Sequence, residues 1–437
     1  MINELTCNIR LSEFPVYIQS LIAIRIASAK ANFQLKKISK EALDALTNVA
    51  ENIAKQEDYS EFDLPFINAV GPVVNRYITD TLKKRCEQNG VYIDTDTIEL
   101  NQATMDVAST ATELAIYESL DKLVHSAHVL RLALEKKAVT FDGVVKCGRI
   151  SLQDSVPVLL RDEFHAHSIA IQRAIERIEQ EKKSWIYSHL GVGDLGTGFG
   201  IHPDFGDLAT IELSKIKERI ILTDSEPLAG LNLSGKLLTT HASVESLAFT
   251  IWKIAHDFEF QASGPRGGIR ELALPAVAPG SSIMPGKINP TVAEMAMAAC
   301  NQVLSNRDMV IQGLHQSWTD PTPLTTLPIR ALLQDTTLLS KTCEVFVKKV
   351  INGITANPEK TLNAAKQSLA NGLILVPLLG KNIAYQVIEK ASKENSTVQE
   401  AALSLGIISE PIAQEIFNPL NLASNQSMKA LMKKYTH

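Results

Sequence analysis

Apolar positions recur every three or four residues through most of this chain, the spacing of helices rather than of strands. Residues 16–57 read as helices, with Leu21, Ile24, Ile26, Ala27 and Ala29 spaced for helical packing. From Thr104 to about Lys137 there is neither Gly nor Pro, and Ala111, Leu114, Ala115, Leu120, Leu123, Val124, Ala127 and Leu130 keep a helical period. A helix of that length spans about 50 Å at ~1.5 Å per residue. Four more long helical segments are predicted at about 158–188, 239–264, 291–315 and 328–353. All are longer than the mean globular helix, and long helices of matched length imply an elongated bundle. Glycine collects in the linkers 191–200 and 264–290. Residues 62–74, with Pro65, Gly71 and Pro72, read as a loop. Residues 89–99, where Val91, Ile93 and Ile98 alternate with polar positions, read as a small strand or an irregular piece. After Asn357-Pro358 the helices become shorter, with breaks at Gly372, Pro377 and Gly406.

The fold class is therefore all-α. The divisions expected are an N-terminal helical domain (1–102), a central five-helix bundle domain (103–357) and a small C-terminal helical domain (358–437). A chain of 437 residues is long enough to bury a large core without disulfides or structural metals.

Composition narrows the function more by exclusion. The net charge is −5 and the isoelectric point near 6.1, without the basic excess of a general nucleic-acid or anionic-membrane binder. No apolar run approaches the ~20 residues of a membrane-spanning helix. The charged N-terminus MINELTCNIRLSEF lacks the apolar core of a signal peptide. Cys7, Cys86, Cys147, Cys300 and Cys343 are scattered, with no CxxC spacing, which suits a reducing cytoplasm. No nucleic-acid or membrane partner is expected.

The most informative segment is Gly280-Ser-Ser-Ile-Met-Pro-Gly-Lys-Ile-Asn-Pro290. It reads as a glycine-hinged loop that ends at a helix start. Asn289 suits the N-cap and Pro290 the first helical position. Free N–H groups at a helix N-terminus attract anions, and Lys287 adds a formal charge. Two hydroxyls and one ammonium thus surround a place suited to a carboxylate or phosphate. An ordinary inter-helix loop has the same composition.

That segment closely resembles the signature loop of the fumarase/aspartase superfamily, specifically its fumarase and aspartase branch. Further segments follow in register. Ser263-Gly-Pro-Arg-Gly-Gly268 looks like the family's SGPR element. LGVGDLGTGFGIHPDF (190–205) resembles its glycine-rich turn and HP element. GRISLQDSVP (148–157) resembles GRTHLQDAVP, and NQATMD (101–106) resembles NQSSND. The tail from Ser368-Leu-Ala-Asn371 through Thr397-Val398 and Glu410 to Asn418-Pro419 is similar to the family's C-terminal domain. The match covers nearly the whole chain, except for a leading segment common in this branch. It also displaces a dinucleotide reading of Gly191-x-Gly193-x-x-Gly196, a fingerprint that needs a preceding strand.

The resemblance implies a homotetramer whose subunits each give five long helices to a central bundle, with active sites shared between subunits. It implies reversible anti-elimination of ammonia, water or an N-linked group from a succinyl skeleton, without metal or organic cofactor. The substrate partner would be a small-molecule carboxylate. By position, Ser281 is the general base, Ser282 and Thr104 face the charge of the aci-carboxylate, and Lys287 and Asn289 hold the other carboxylate. Gly280 and Gly286 shape the loop, and Glu294 matches a supporting glutamate.

Departures from the family pattern fall on one side of the substrate. Met105 stands where NQSSND has its second Asn, and Ala103 replaces a hydroxyl. Ile150-Ser151 replaces Thr-His, leaving Glu294 without its histidine. The family's GSGT…NMNxNE stretch falls near 66–80, where only Asn75 matches. Substrate-binding positions Met105, Ser151 and Asn75 thus differ in chemistry or setting from an ordinary aspartase or fumarase. Losing donors from a site built around a dianion costs affinity steeply. Three readings follow: a lyase for a non-standard substrate, such as an N-substituted aspartate; an ordinary aspartate ammonia-lyase or fumarase; and a non-catalytic tetramer acting as a scaffold.

The remaining polar residues read as structural. His165 and His167 are two apart, not at metal-pair spacing, and His125 and His128 lack a third ligand. His189 and His241 adjoin the catalytic loops and are the available replacements for the missing histidine. Lys136-Lys137 and Lys182-Lys183 read as solvated helix ends.

Overall fold

The computed structural model describes residues 10–64, 71–232, 234–315 and 326–435. The helices are α1 (Pro15–Gln34), α2 (Lys40–Lys55), α3 (Gly71–Gln88), α4 (Thr95–Glu99), α5 (Thr104–Thr140), α6 (Leu160–Lys182), α7 (Phe205–Ile216), α8 (Pro227–Gly230), α9 (Ser234–Gln261), α10 (Thr291–Leu314) and α11 (Thr326–Phe346). Shorter helices complete the chain: α12 (Pro358–Gln367), α13 (Leu375–Leu379), α14 (Lys381–Glu394), α15 (Val398–Ser404), α16 (Glu410–Ile416), α17 (Pro419–Ala423) and α18 (Asn425–Tyr435). None of the described helices is long and apolar enough to cross a membrane.

The predominantly helical fold matches the expectation, and α5, α6, α9, α10 and α11 are the long helices expected. Three two-stranded ladders were not foreseen among the described residues. Strands β1 (Val145–Ile150) and β2 (Gln153–Leu159) form an antiparallel hairpin, with Ile150 opposite Gln153 and Val145 opposite Leu159. Strands β3 (Tyr187–Ser188) and β4 (Leu222–Thr223) pair in parallel, and β5 (Leu272–Ala273) pairs antiparallel with β6 (Thr355–Ala356).

Two local expectations need correction. The stretch 62–74 is not all loop, because α3 begins at Gly71-Pro72, where Pro costs nothing in the first turn. Its residues 65–70 lie outside the described residues. Nor is 89–99 a strand: Asp94 accepts from the Thr97 N–H and caps α4, which puts Ile98 on a buried helical face.

The described residues form two compact units. One draws on Met1–Ser126, Ala174–Phe249 and Ala299–Lys341. In it α1 is buried almost all round and packs against α2 and α7. Its polar interior includes His241, whose Nε2 lies 2.9 Å from Asp335 Oδ2, while Asn306 Nδ2 donates to Asp335 Oδ1 at 2.6 Å. The second unit draws on Ala127–Arg173, Thr250–Ala298 and Thr342–His437. There Phe164 stacks on Phe258, and Phe258 on Phe346. A separate apolar cluster, including Leu375, Val387, Val398 and Ile416, holds the C-terminal helices. The hairpin rests on α12 through Val145, Leu159 and Ala365.

Candidate active site

In the second unit the segment between β5 and α10 carries the serine loop. Asn289 Nδ2 donates to the carbonyl of Gly280 at 3.0 Å and closes the loop into a ring. Gly280 is required there, since a Cβ would sit 2.2 Å from the Lys287 carbonyl oxygen. Gly286 turns the chain back at φ +77°. Inside the ring, Ser281 Oγ accepts from the N–H groups of Ile283 at 3.3 Å and Met284 at 3.1 Å. Donors aimed at a hydroxyl oxygen favour its anionic form. Ser282 and Lys287 are exposed beside it.

The expected cap is corrected. The first bond of α10 runs from Glu294 N to Pro290 O, so Pro290 is the N-cap, and Asn289 spends its amide on closing the loop. Glu294 is exposed and, like Lys287, makes no ion pair among the described residues.

A cavity of about 440 Å³ adjoins the loop. Lys287, Ile288, Asn289 and Pro290 line one side, and Ser263, Pro265, Arg270, Leu272 and Leu274 the other. The 263–270 turn is tight: Ser263 Oγ accepts from Ile269 N, Ser263 O accepts from Arg270 N, and a Cβ on Gly268 would meet Ser263 O at 2.4 Å. It thus presents a shaped wall of mixed polarity to Lys287 and Asn289.

The hairpin brings the GRISLQDSVP segment to the same unit. Arg149 grips Glu271 with both terminal nitrogens, at 3.1 and 2.7 Å. Lys146 lies 3.2 Å from Glu271 and donates to Glu163 at 2.6 Å. Glu271 is 1% exposed, so this is a buried charge network that fixes the hairpin to the residues leading into β5. A Cβ on Gly148 would meet Val156 O at 2.5 Å, beside the register shift between Cys147 and Arg149. Ser151 and Leu152 form the two-residue turn, at φ +53° and +63°.

Thr104, Met105 and Asn75 lie in the first unit. Asn75 Nδ2 donates to the carbonyl of Thr104 at 3.5 Å, and Met105 N donates to Asp194 Oδ1 at 3.0 Å. Asp106 accepts from Ala103 N at 2.9 Å and Gly191 N at 3.2 Å. Its burial pushes its carboxyl up to about 7, against those N–H bonds. The glycine turn is thus committed to Asp106. It follows a two-residue strand and leads to no helix before Phe205, which removes the dinucleotide reading.

The two candidate histidines are buried. His241 belongs to the Asp335 pair, and His189 lies between Glu113 at 3.6 Å and Asp224 at 3.4 Å. Lys137 is not a free helix end, since it donates to the carbonyls of Asn352 and Ile354. Lys182 likewise reaches Asp121 at 2.7 Å. No group of three His, Cys, Asp or Glu side chains is placed to hold a metal among the described residues.

Comparison with known proteins decides the family. A family model described as Lyase matches residues 3–305. The chain is a member of the fumarase/aspartase superfamily of lyases. It is 28% identical over 440 residues to an aspartate ammonia-lyase of Escherichia coli strain K12, covering 98% of this chain and 91% of that one. It is 30% identical over 427 residues to a class II fumarate hydratase of Halalkalibacterium halodurans, covering 94% and 90%. A fumarate lyase:delta crystallin structure from Brucella melitensis, bound to cobalt, superposes with a TM-score of 0.93 at 27% identity, covering 97% of this chain and 94% of that one. Near-equal likeness to an ammonia-lyase and to a hydratase leaves the leaving group to be argued from this chain's own residues.

Several features of this superfamily member were missed in the sequence. Asp194 is a polar residue inside a glycine run, and only the fold shows it meeting Met105 N. The Arg149–Glu271 pair joins residues 122 apart in sequence. Arg25, on the mostly apolar α1, carried no motif at all.

Proposed function

We propose that this lyase catalyses reversible anti-elimination of a nitrogen-linked group from a succinyl skeleton, with Ser281 as general base and an N-substituted aspartate as substrate. The observation that carries the reading is Ser281 Oγ facing two loop N–H donors inside a ring closed by Asn289. An alkoxide held there takes the proton from the carbon β to the nitrogen. The electron pair moves into the adjacent carboxylate as an aci-carboxylate, which Ser282 and Thr104 face. Lys287 and Asn289 bind the other carboxylate, and collapse of the dianion expels the amine and leaves fumarate or a fumarate-like product. Met105, Ile150 and Ser151 offer few partners to a free ammonium or hydroxyl, which favours a substituted nitrogen over aspartate or malate. The working form is a cytoplasmic homotetramer with active sites shared between subunits.

The test is a 240 nm screen for alkene formation with aspartate, malate, argininosuccinate, adenylosuccinate and N-alkyl aspartates, with Ser281→Ala as the blank. Serine-dependent absorbance with a substituted aspartate, and little with aspartate or malate, is the expected result. Turnover retained in Ser281→Ala removes Ser281 from the base role. Silence across the panel turns the assignment towards a scaffold.

A further inference from the structure

Arg270 holds a backbone conformation that favours glycine. Its φ is +48°, in the left-handed region where a β-carbon crowds the chain and other residues are uncommon. Its N–H donates to the carbonyl of Ser263 at 3.0 Å, so the 263–270 turn fixes that conformation. Strain of this kind persists where the surrounding structure over-determines it, and it gathers at ligand clamps. Contacts within the fold do not account for a guanidinium at this place. Arg270 is exposed, and among the described residues its side chain has no ion pair, hydrogen bond or ring contact. The adjacent Glu271 is committed to Arg149 and Lys146.

Arg270 lines the cavity of about 440 Å³ beside the serine loop, and so do Lys287 and Glu259. Glu259 is partly buried near the end of α9 and likewise has no side-chain partner among the described residues, Arg270 included. The cavity thus carries three fixed charges, two positive and one negative, and none of them is neutralised by an ion pair within the described residues. A succinyl carboxylate held by Lys287 leaves one cation and one anion, apart from each other on the lining of one cavity. A lone anion there is drawn by Arg270 and opposed by Glu259, and a lone cation the reverse. A group that carries both charges is matched by both. Pro265, Leu274 and Ile288 add apolar lining suited to the methylenes of a short tether.

We propose that Arg270 and Glu259 are the specificity-determining pair of this cavity, and that they recognise a carboxylate and an ammonium carried together at the end of the substituent on the aspartate nitrogen. Arg270 takes the carboxylate, which its planar fork suits, and Glu259 the ammonium. The inference rests on the lyase reading for the succinyl end of the ligand, and goes beyond it in the chemistry of the other end. It also explains why an arginine stands at a left-handed position, since glycine would relieve the backbone but supply no guanidinium.

The experiment is calorimetric titration of full-length Ser281→Ala, which reads binding without turnover. The probes are four aspartates that differ only at the end of a three-carbon N-substituent: 3-amino-3-carboxypropyl, 3-carboxypropyl, 3-aminopropyl and propyl. The first should bind about tenfold or more tighter than the last. Arg270→Gly should weaken the two carboxylate-ended ligands about tenfold and leave the 3-aminopropyl ligand within about twofold. Glu259→Gln should weaken the two ammonium-bearing ligands by about three- to tenfold and spare the propyl ligand. Glycine and asparagine both accept positive φ, so Arg270→Gly and Arg270→Asn keep the turn, and their melting temperatures should not fall. Arg270→Lys should bind the carboxylate-ended ligands better than either. Equal affinity for all four ligands overturns the proposal, and so does an equal loss for all four in the Arg270 variants. Failure of the lyase reading looks different: no alkene forms from any of these ligands with the unaltered protein, while the preference for the doubly charged end and its dependence on Arg270 remain, which supports the pair as a binding site.

Discussion

Asn289 reaches back across its own loop to Gly280, donating from Nδ2 to the glycine carbonyl at 3.0 Å, while the Gly280 Cα lies too close to the Lys287 carbonyl to carry a Cβ. Two residues nine apart thus fix the ring within which Ser281 Oγ meets the N–H groups of Ile283 and Met284. The same residue that the family resemblance assigns to substrate is also the fastener of the loop.

Two substitutions should separate those roles. Gly280→Ala forces backbone out of place, and a misplacement of about 1 Å at reacting groups costs on the order of 10²-fold in rate. Asn289→Ala loses one neutral hydrogen bond, about 1 kcal/mol, and should lower kcat/KM by about 10–100-fold. Neither should move the thermal midpoint by more than a few degrees, because the loop is exposed. Steady-state kinetics on the substrate found at 240 nm, with a melting curve of each variant, checks both. Unaltered turnover in Gly280→Ala would show that the ring does not position Ser281.

Glu271 should behave as the keystone of the hairpin. It is 1% exposed and faces both Arg149 and Lys146. Glu271→Gln leaves Arg149 facing a neutral amide while Lys146 keeps Glu163, and breaking a buried pair in this way costs about 3–5 kcal/mol. Urea unfolding should show a loss near that size. Activity measured below the transition should fall too, since the anchored hairpin carries Ile150 and Ser151. A loss under about 1 kcal/mol would mean the network is solvated in solution.

Asp106 should give the fold a pH dependence of defined sign. Its burial raises the carboxyl to about 7 in the folded state, while the N–H groups of Ala103, Gly191 and Gly193 pull the other way and Asp194 adds to the rise. The unfolded value is about 3.9. A raised folded pKa means that this group's contribution is fully present below about pH 4 and lost as pH climbs through about 7. Asp106→Asn removes the titration but not the fold. Between pH 5 and 8 the unaltered protein should lose on the order of 2 kcal/mol relative to Asp106→Asn. Denaturant midpoints at four or five pH values measure the difference, and parallel profiles would remove Asp106 as its source.

Much of this protein was legible in its sequence because the long helices obey one rule for many residues. Helix α5 runs from Thr104 to Thr140 with an unbroken period, and Asn357-Pro358 caps α12 as the residue types require. The hairpin was not legible. Its strands carry Gly148 and Pro157, residues that argue against a strand, and its turn uses Ser151 and Leu152 at positive φ, where Asn and Gly are the usual signal. Alternation misled at 89–99 because Asp94 starts a helix there. In the candidate site the serine loop was readable, since its residues are contiguous. Arg25 was not, because its hydrogen bonds run to residues 50 to 77 positions away.

That unusual turn allows the sharpest test of whether the hairpin serves stability or substrate. Ile150 opposite Gln153 leaves Ser151 and Leu152 as a two-residue loop with both φ values positive, the type I′ geometry. Leucine in that region costs about 1–2 kcal/mol, and Leu152 recovers little by packing because it is 69% exposed. Ser151→Asn with Leu152→Gly supplies the preferred pair. Glycine gives back part of the gain through the entropy of the unfolded chain, so the net stabilisation should be about 0.5–1 kcal/mol. Strain kept at a place where residues meet substrate is commonly part of function. The double variant should therefore melt higher yet turn over more slowly, with the loss appearing in KM if Ser151 touches the substrate. A higher melting point with unchanged kinetics would separate the turn from the site. No gain in stability would mean that tertiary contacts, not the turn residues, hold this conformation.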